Sequence, residues 1–345
     1  MLTIITCNDL IEENTGKNQP VIRKRLILDK IKQTTSNYKI NIINDPIDIE
    51  WLQQVHDPEY IKFLKNAYSS WLVNKEFDWV NESYGVIPFC FTRNKPKNTI
   101  AEYKLSGYYG TDVMTPIYQN TYSNALISAN LAHYAAEISY LLPENIIYVL
   151  APIPGHHASY DQYGGYCFFN NAFITAYRAI ELGKKKVAIL DLDFHAGQGV
   201  PKLMSRHNNL ENKIMACSIH GDPMNDYPFF EGFDNDYNDE SIINIPLKDN
   251  ADWSVYGEVL IEACIKIWKW QPELLIIAFG ADTYKEDPDP SPLTRFKLEL
   301  DDYNKMGQII RKYFPIPIIV TQEGGYNLDY VPEIVCRFLE SLQEN

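Results

Sequence analysis

The sequence predicts an α/β fold in which a parallel sheet is flanked by helices. Three observations predict it. Short apolar runs of strand length recur along the chain, longer segments with helical spacing separate them, and the runs of the second half end in polar clusters. With 345 residues, 46% hydrophobic and 22% charged, the chain is long enough to bury a full core of ordinary globular composition. No internal repeat, low-complexity segment or linker breaks it, so residues 1–345 are expected to form one domain.

Leu2 to Cys7 reads as the first strand, and Pro20 to Lys32 as a helix whose proline sits in the first turn, where its missing N–H costs nothing. Tyr38 to Ile43 fits a second strand. Pro58 to Val73 carries apolar and aromatic residues at helical spacing, which gives a core face. Residues 81–116 differ, since their glycine, proline, tyrosine and charged residues follow no period. So long a stretch within a compact domain usually serves an interaction or a site. Tyr122 to Leu142 is a long helix, and Ile146 to Leu150 a buried strand that runs into Ala-Pro-Ile-Pro-Gly155. Asn170 to Leu182 is the helix leading to the central apolar run at Val187. Strands follow at Ile214 to Ile219, Leu274 to Phe279 and Ile318 to Thr321. Helices at Trp253 to Trp268, Asp301 to Tyr313 and Val331 to Leu342 connect and close them. Strands alternating with helices give βαβ units with parallel strands.

A formal net charge of −14 sets the surface against a phosphate backbone and in favour of a cationic partner, so nucleic acid is not expected. The six cysteines are scattered with no CxxC pair, as reduced thiols are. No apolar run reaches the roughly 18 residues of a membrane span. The first residues also lack a basic segment followed by an apolar run and cleavage site. The expectation is a soluble, cytoplasmic protein with no membrane partner.

Chemistry concentrates in Val187-Ala-Ile-Leu-Asp-Leu-Asp-Phe-His195. Alternate side chains of an extended segment share a face, so Asp191, Asp193 and His195 converge at a strand end. Burying two carboxylates so close together is costly unless a cation compensates. Nitrogen and oxygen ligands in this mixture suit zinc, and also admit ferrous iron, cobalt or manganese. The competing reading is that the carboxylates merely cap the next helix. Four more clusters at strand ends tilt the balance to a metal site: Gly155-His156-His157, Ser218-Ile-His220, Gly280-Ala-Asp282 and Glu323-Gly-Gly-Tyr326. In parallel sheets, ligands bind beyond the carboxyl ends of the strands.

Pro154-Gly-His-His-Ala158, Gly164-Gly-Tyr-Cys-Phe-Phe-Asn-Asn171, Leu190-Asp-Leu-Asp-Phe-His195, Gly280-Ala-Asp-Thr283 and Glu323-Gly-Gly-Tyr326 resemble the signature set of the histone deacetylase superfamily. Tyr108-Tyr109, Thr115-Pro-Ile117 and Ser218-Ile-His-Gly-Asp-Pro223 resemble its acetylpolyamine amidohydrolase branch. The resemblance implies an arginase-related sheet of about eight parallel strands. It makes Asp193, His195 and Asp282 the ligands of a catalytic zinc, with a coordination position left open. By the same resemblance His157 is general base and acid, His156 its electrostatic partner oriented by Asp191, and Tyr326 the oxyanion donor. Gly165, Tyr166 and Tyr227 match the walls of the substrate tunnel. A structural potassium ion would be held by the Asp191 and Ser218 side chains and by carbonyls of Asp191, Asp193, His195 and Ile219.

Two positions depart from the family pattern. Ala196 stands where many members have a second histidine, and Gln198 where an Asp or Asn partners the general base, which implies a weaker base and an altered rate or pH optimum. Asp289 matches a tunnel-rim position that carries a carboxylate in a polyamine-preferring relative, and with the net charge it favours acetylated polyamines. Residues 81–116 match an insertion that narrows the tunnel and supports a homodimer. Met114 takes the place of an expected acidic residue there, with Glu102 or Asp112 as candidate substitutes. The implied activity is hydrolysis of acetylated polyamines or related slender cationic amines. A protein or peptide lysine deacetylase is the alternative. An arginase-like two-metal centre is disfavoured, because its Asp-x-His-x-Asp motif is absent.

Overall fold

A computed structural model describes residues 1–8, 10, 19–73, 85–92, 94, 101–142 and 146–344. Its centre is one parallel sheet, as the alternating pattern requires. The strands are β1 (Leu2–Thr6), β2 (Tyr38–Ile42), β3 (Ile146–Val149), β4 (Val187–Asp191), β5 (Ile214–Gly221), β6 (Ile242–Leu247), β7 (Leu274–Phe279) and β8 (Ile318–Gln322). They lie in the order β2-β1-β3-β8-β7-β4-β5-β6. The helices are α1 (Pro20–Thr34), α2 (Ile49–Leu52), α3 (Pro58–Val73), α4 (Ser106–Tyr109), α5 (Thr121–Leu141), α6 (Asn171–Glu181), α7 (Gly199–Arg206), α8 (Trp253–Lys269), α9 (Leu300–Tyr313) and α10 (Val331–Ser341).

Strand residues alternate between two cores, which is why the interior strands read as unbroken apolar runs. On one face Leu190, Ile277 and Val320 pack with Ile27 of α1, Tyr256 of α8, Ile310 of α9 and Phe338 of α10. On the other, Val149, Ile189 and Ile276 pack with Phe63 of α3, Ala132 of α5 and Phe173 of α6.

The pattern reading finds seven of these strands; the eighth is β6. Its sequence Ile-Ile-Asn-Ile-Pro-Leu is only half-buried along most of its length and carries Pro246, which an edge strand tolerates. The short helices α2, α4 and α7 have too few turns to show a period. Within the non-periodic stretch, residues 81–84, 93 and 95–100 lie outside the described residues. The described part is tied to the domain by an antiparallel bridge between Val86 and Ile117 and a parallel one between Gly110 and Tyr163.

Register places the site. Asp191 lies opposite both Ser218 and Ala278, and Ala278 lies opposite Thr321. The clusters that follow β4, β5, β7 and β8 therefore emerge side by side at one edge of the sheet.

Candidate active site

The residues just past β4 and β7 build the centre. Asp193, His195 and Asp282 are buried and offer three ligand atoms within 4.8 Å of one another. His195 Nδ1 sits 3.2 Å from Asp193 Oδ1 and 3.2 Å from Asp282 Oδ2. Backbone amides fix the carboxylates: Phe194 N–H donates to Asp282 Oδ1 at 3.0 Å, and Gly324 N–H to Asp193 Oδ2 at 2.8 Å. Burial and the neighbouring Asp193 push Asp282 up to about 8. Burial works against a charge on His195, yet the two carboxylates outweigh it and lift the imidazole well above its ordinary range. Positive charge is what this point of the molecule stabilises, and a buried two-carboxylate, one-imidazole donor set fits a divalent metal.

His156 and His157 leave the turn after β3 with ring centroids 3.9 Å apart. His156 Nδ1 lies 3.0 Å from Asp191 Oδ2. Burial opposes its protonation, but Asp193 and Asp191 bring His156 up to about 10. His157 behaves oppositely, because burial and then the charges on His156 and His195 hold it well below the usual imidazole range. Its Nδ1 lies 2.8 Å from Gln198 Oε1, at the start of α7. An amide oxygen only accepts, so Nδ1 carries the proton and Nε2 the lone pair.

Tyr166 and Tyr326 lie with ring centroids 5.7 Å apart and planes tilted by 59°, and Tyr227 stands edge-on to His157 at 4.8 Å. Burial and then the Asp289 carboxylate push the Tyr326 phenol well above its ordinary value, so it remains a donor. Gly165 has φ +52°, and a Cβ there would fall 2.1 Å from His157 Cδ2, so only glycine leaves the imidazole its place. Asp289 lies deeper than a rim position suggests: its side chain is 19% exposed and sits 3.5 Å from His195 Nε2. Ser218 Oγ is 2.7 Å from His220 Nδ1, and His220 Nε2 is 2.8 Å from the Gly232 carbonyl. Burial holds His220 down at about 4. The neutral ring donates from Nε2 to Gly232 and accepts the Ser218 proton, which leaves the Ser218 lone pairs for another partner.

Several supporting roles escaped sequence reasoning. Glu323 accepts from Gly155 N–H at 2.6 Å and His156 N–H at 3.0 Å, and so ties the end of β8 to the histidine turn. Asp287 accepts from the Tyr326 and Asn327 amides at 2.7 and 3.0 Å and fixes the tyrosine's backbone. It sits in a charged, proline-rich loop that reads as solvated, yet it is fully buried. Arg23 of α1 is also buried and donates to the Gly325 carbonyl at 3.0 Å. No motif in its own segment signals this. A second buried triplet, His156, Cys167 and Glu323, has its atoms committed elsewhere: Cys167 Sγ bonds the Gly165 carbonyl, and Glu323 also accepts from Thr321.

Comparison with known proteins gives the chain its family. The family profile described as the histone deacetylase domain matches residues 18–342. Acetylpolyamine amidohydrolase 1 of Pseudomonas aeruginosa is 31% identical, over 92% of this chain and 90% of its own length. The acetylpolyamine amidohydrolase of Mycoplana ramosa is 32% identical, over 83% of this chain and 80% of its own length. The fold is shared with the crystal structure of an acetylpolyamine aminohydrolase from Burkholderia pseudomallei. The TM-score is 0.82 at 24% identity, with 99% of this chain and 98% of that one covered. Among the described residues, no helix is long and apolar enough to cross a membrane. The chain belongs to the histone deacetylase family, in its acetylpolyamine amidohydrolase branch, and is an amidohydrolase of that family.

Proposed function

We propose that the protein is a zinc-dependent deacetylase of acetylated polyamines or similarly slender cationic amines. The observation that carries this reading is the buried Asp193, His195 and Asp282 set with the His157 ring 6.0 Å from the His195 ring. Zinc held by these three residues would supply Lewis acidity toward an acetamide carbonyl and toward water. His157 accepts a proton at Nε2 and returns it to the departing amine, while the Gln198 oxygen holds Nδ1–H. Charged His156, paired with Asp191, keeps His157 from being protonated too early. The Tyr326 hydroxyl donates to the oxygen that gains charge. Asp289, beside His195, also keeps a proton on His195 Nε2 and Nδ1 free for the metal.

The amine preference rests on the Asp289 carboxylate, the −14 net charge and the activities for which the relatives are named. Asp191 and Ser218 side chains with carbonyls of Asp191, Asp193, His195 and Ile219 would hold potassium, which the free lone pairs of Ser218 suit. The 81–116 insertion would narrow the entrance and support a dimer; Phe89, Phe91, Val113 and Met114 are exposed there.

Zinc-reconstituted enzyme is given N-acetylputrescine, N8-acetylspermidine and an acetyl-lysine peptide, with Tyr326→Phe as control. The acetylamines should lead in kcat/KM and the control should lose about 100- to 1,000-fold in rate. Hydrolysis of the peptide alone would replace the polyamine reading with a lysine deacetylase. Replacing potassium by sodium in the same assay tests the second cation, and sedimentation tests the dimer.

A further inference from the structure

One short segment beyond α4 holds groups from two loops that pack on His157. Asp112 Oδ2 accepts Gly165 N–H at 2.7 Å and the Tyr227 hydroxyl at 2.9 Å, while Oδ1 accepts Met114 N–H at 2.8 Å. Thr111 N–H donates to the Tyr163 carbonyl at 2.9 Å, and Thr111 Oγ1 lies 3.2 Å from the Tyr227 hydroxyl. Thr115 Oγ1 accepts Tyr166 N–H at 3.0 Å. The gripped groups come from two separate loops, one after β3 and the other after β5.

Those groups are the ones packed on the catalytic imidazole. The Tyr227 ring meets His157 at 87° with centroids 4.8 Å apart, and Gly165 leaves no room for a methyl group against it. Gly164 is equally tight: a Cβ there would fall 1.9 Å from Thr111 Oγ1 and 2.8 Å from Asp112 Oδ2. A phenylalanine at 227 would fill the same wall but offer nothing to tie. Bonds to a carboxylate are roughly twice as strong as those between neutral groups, so a single charged side chain locks two walls at once.

Building on the deacetylase reading, we propose that Asp112 is a positioning residue that acts through Tyr227 and Gly165 to fix the width of the passage over His157, and so selects slender amines. The Met114 amide shares this carboxylate, so the insertion reaches the site through Asp112 and not through the side chain at 114.

The test compares Tyr227→Phe, Asp112→Ala and the double variant, each checked for unchanged zinc content and melting temperature. The readout is the kcat/KM ratio of N-acetylputrescine to N-acetylbenzylamine, whose ring sits beside the acetylated nitrogen. Each single change should cut that ratio about tenfold, and the double variant should fall no further than Asp112→Ala alone. A ratio unchanged in the singles, or effects that multiply in the double, would overturn the proposal. Hydrogen exchange at the Gly165 amide provides an arm independent of turnover. It should be about tenfold faster in Asp112→Ala, and unchanged exchange also overturns the proposal. If the unmutated enzyme hydrolyses no acetylated amine, the deacetylase reading has failed while the exchange arm still judges the clasp.

Discussion

At the scale of single residues, Gln198 sets the behaviour of the site most directly. A neutral amide beside His157 leaves the imidazole to the lowering effects of burial and of its charged neighbours. Gln198→Glu keeps the length and replaces the amide with a carboxylate, which favours imidazolium. In the proposed mechanism His157 must be neutral to act as the base, so the acid limb of the kcat/KM profile should move to higher pH by about one unit. A pH–rate profile checks it, and an unmoved limb would place the base elsewhere. Asp193 and His195, two of the three candidate metal ligands, were legible in the sequence because two-residue spacing at a strand end is a local property, whereas Asp282 was found through its own cluster after another strand. The roles of Asp287, Glu323 and Arg23 were not, because they act on backbone amides and carbonyls contributed by segments remote in sequence, although Glu323 itself stands in a motif.

Among the elements, α6 shows how a structural signal and a site signal overlap. Asn170 caps the helix by accepting Phe173 N–H at 3.0 Å, and its amide donates to the Ala158 carbonyl at 2.9 Å, just beyond the histidine pair. Asn171 donates to the Ile153 carbonyl at 2.9 Å on the approach to the same turn. Asn170→Ala removes the cap and leaves buried backbone groups unpaired, so it should cost about 2 kcal/mol in urea unfolding. The helix itself was readable from its apolar spacing to within a residue at either end. Strand β6 was not, because its half-buried edge position supplies neither clean alternation nor a continuous apolar run.

For the whole molecule, two buried neutral histidines contribute a sensitivity to acid. Burial lowers His56 from 6.5 to about 3 and His220 to about 4, so both are neutral in the folded protein. A histidine with a depressed folded value favours the native state above its unfolded value and loses that contribution as pH falls toward the folded one. Their contribution to the melting temperature should therefore shrink as pH is lowered from about 6.5 toward 4, so over that range His56→Gln should lose less melting temperature than the unmutated protein, and an identical slope would sink the idea. The sheet order has a consequence for how the protein is made. Strands β3 and β4 are not neighbours: β8 and β7, the last two strands in the sequence, lie between them. A chain emerging from the ribosome therefore carries two half-sheets whose inner edges stay unpaired until residues 274–322 arrive. Those open edges are templates for mispairing, so the biosynthetic hazard of this protein lies in waiting for its own middle.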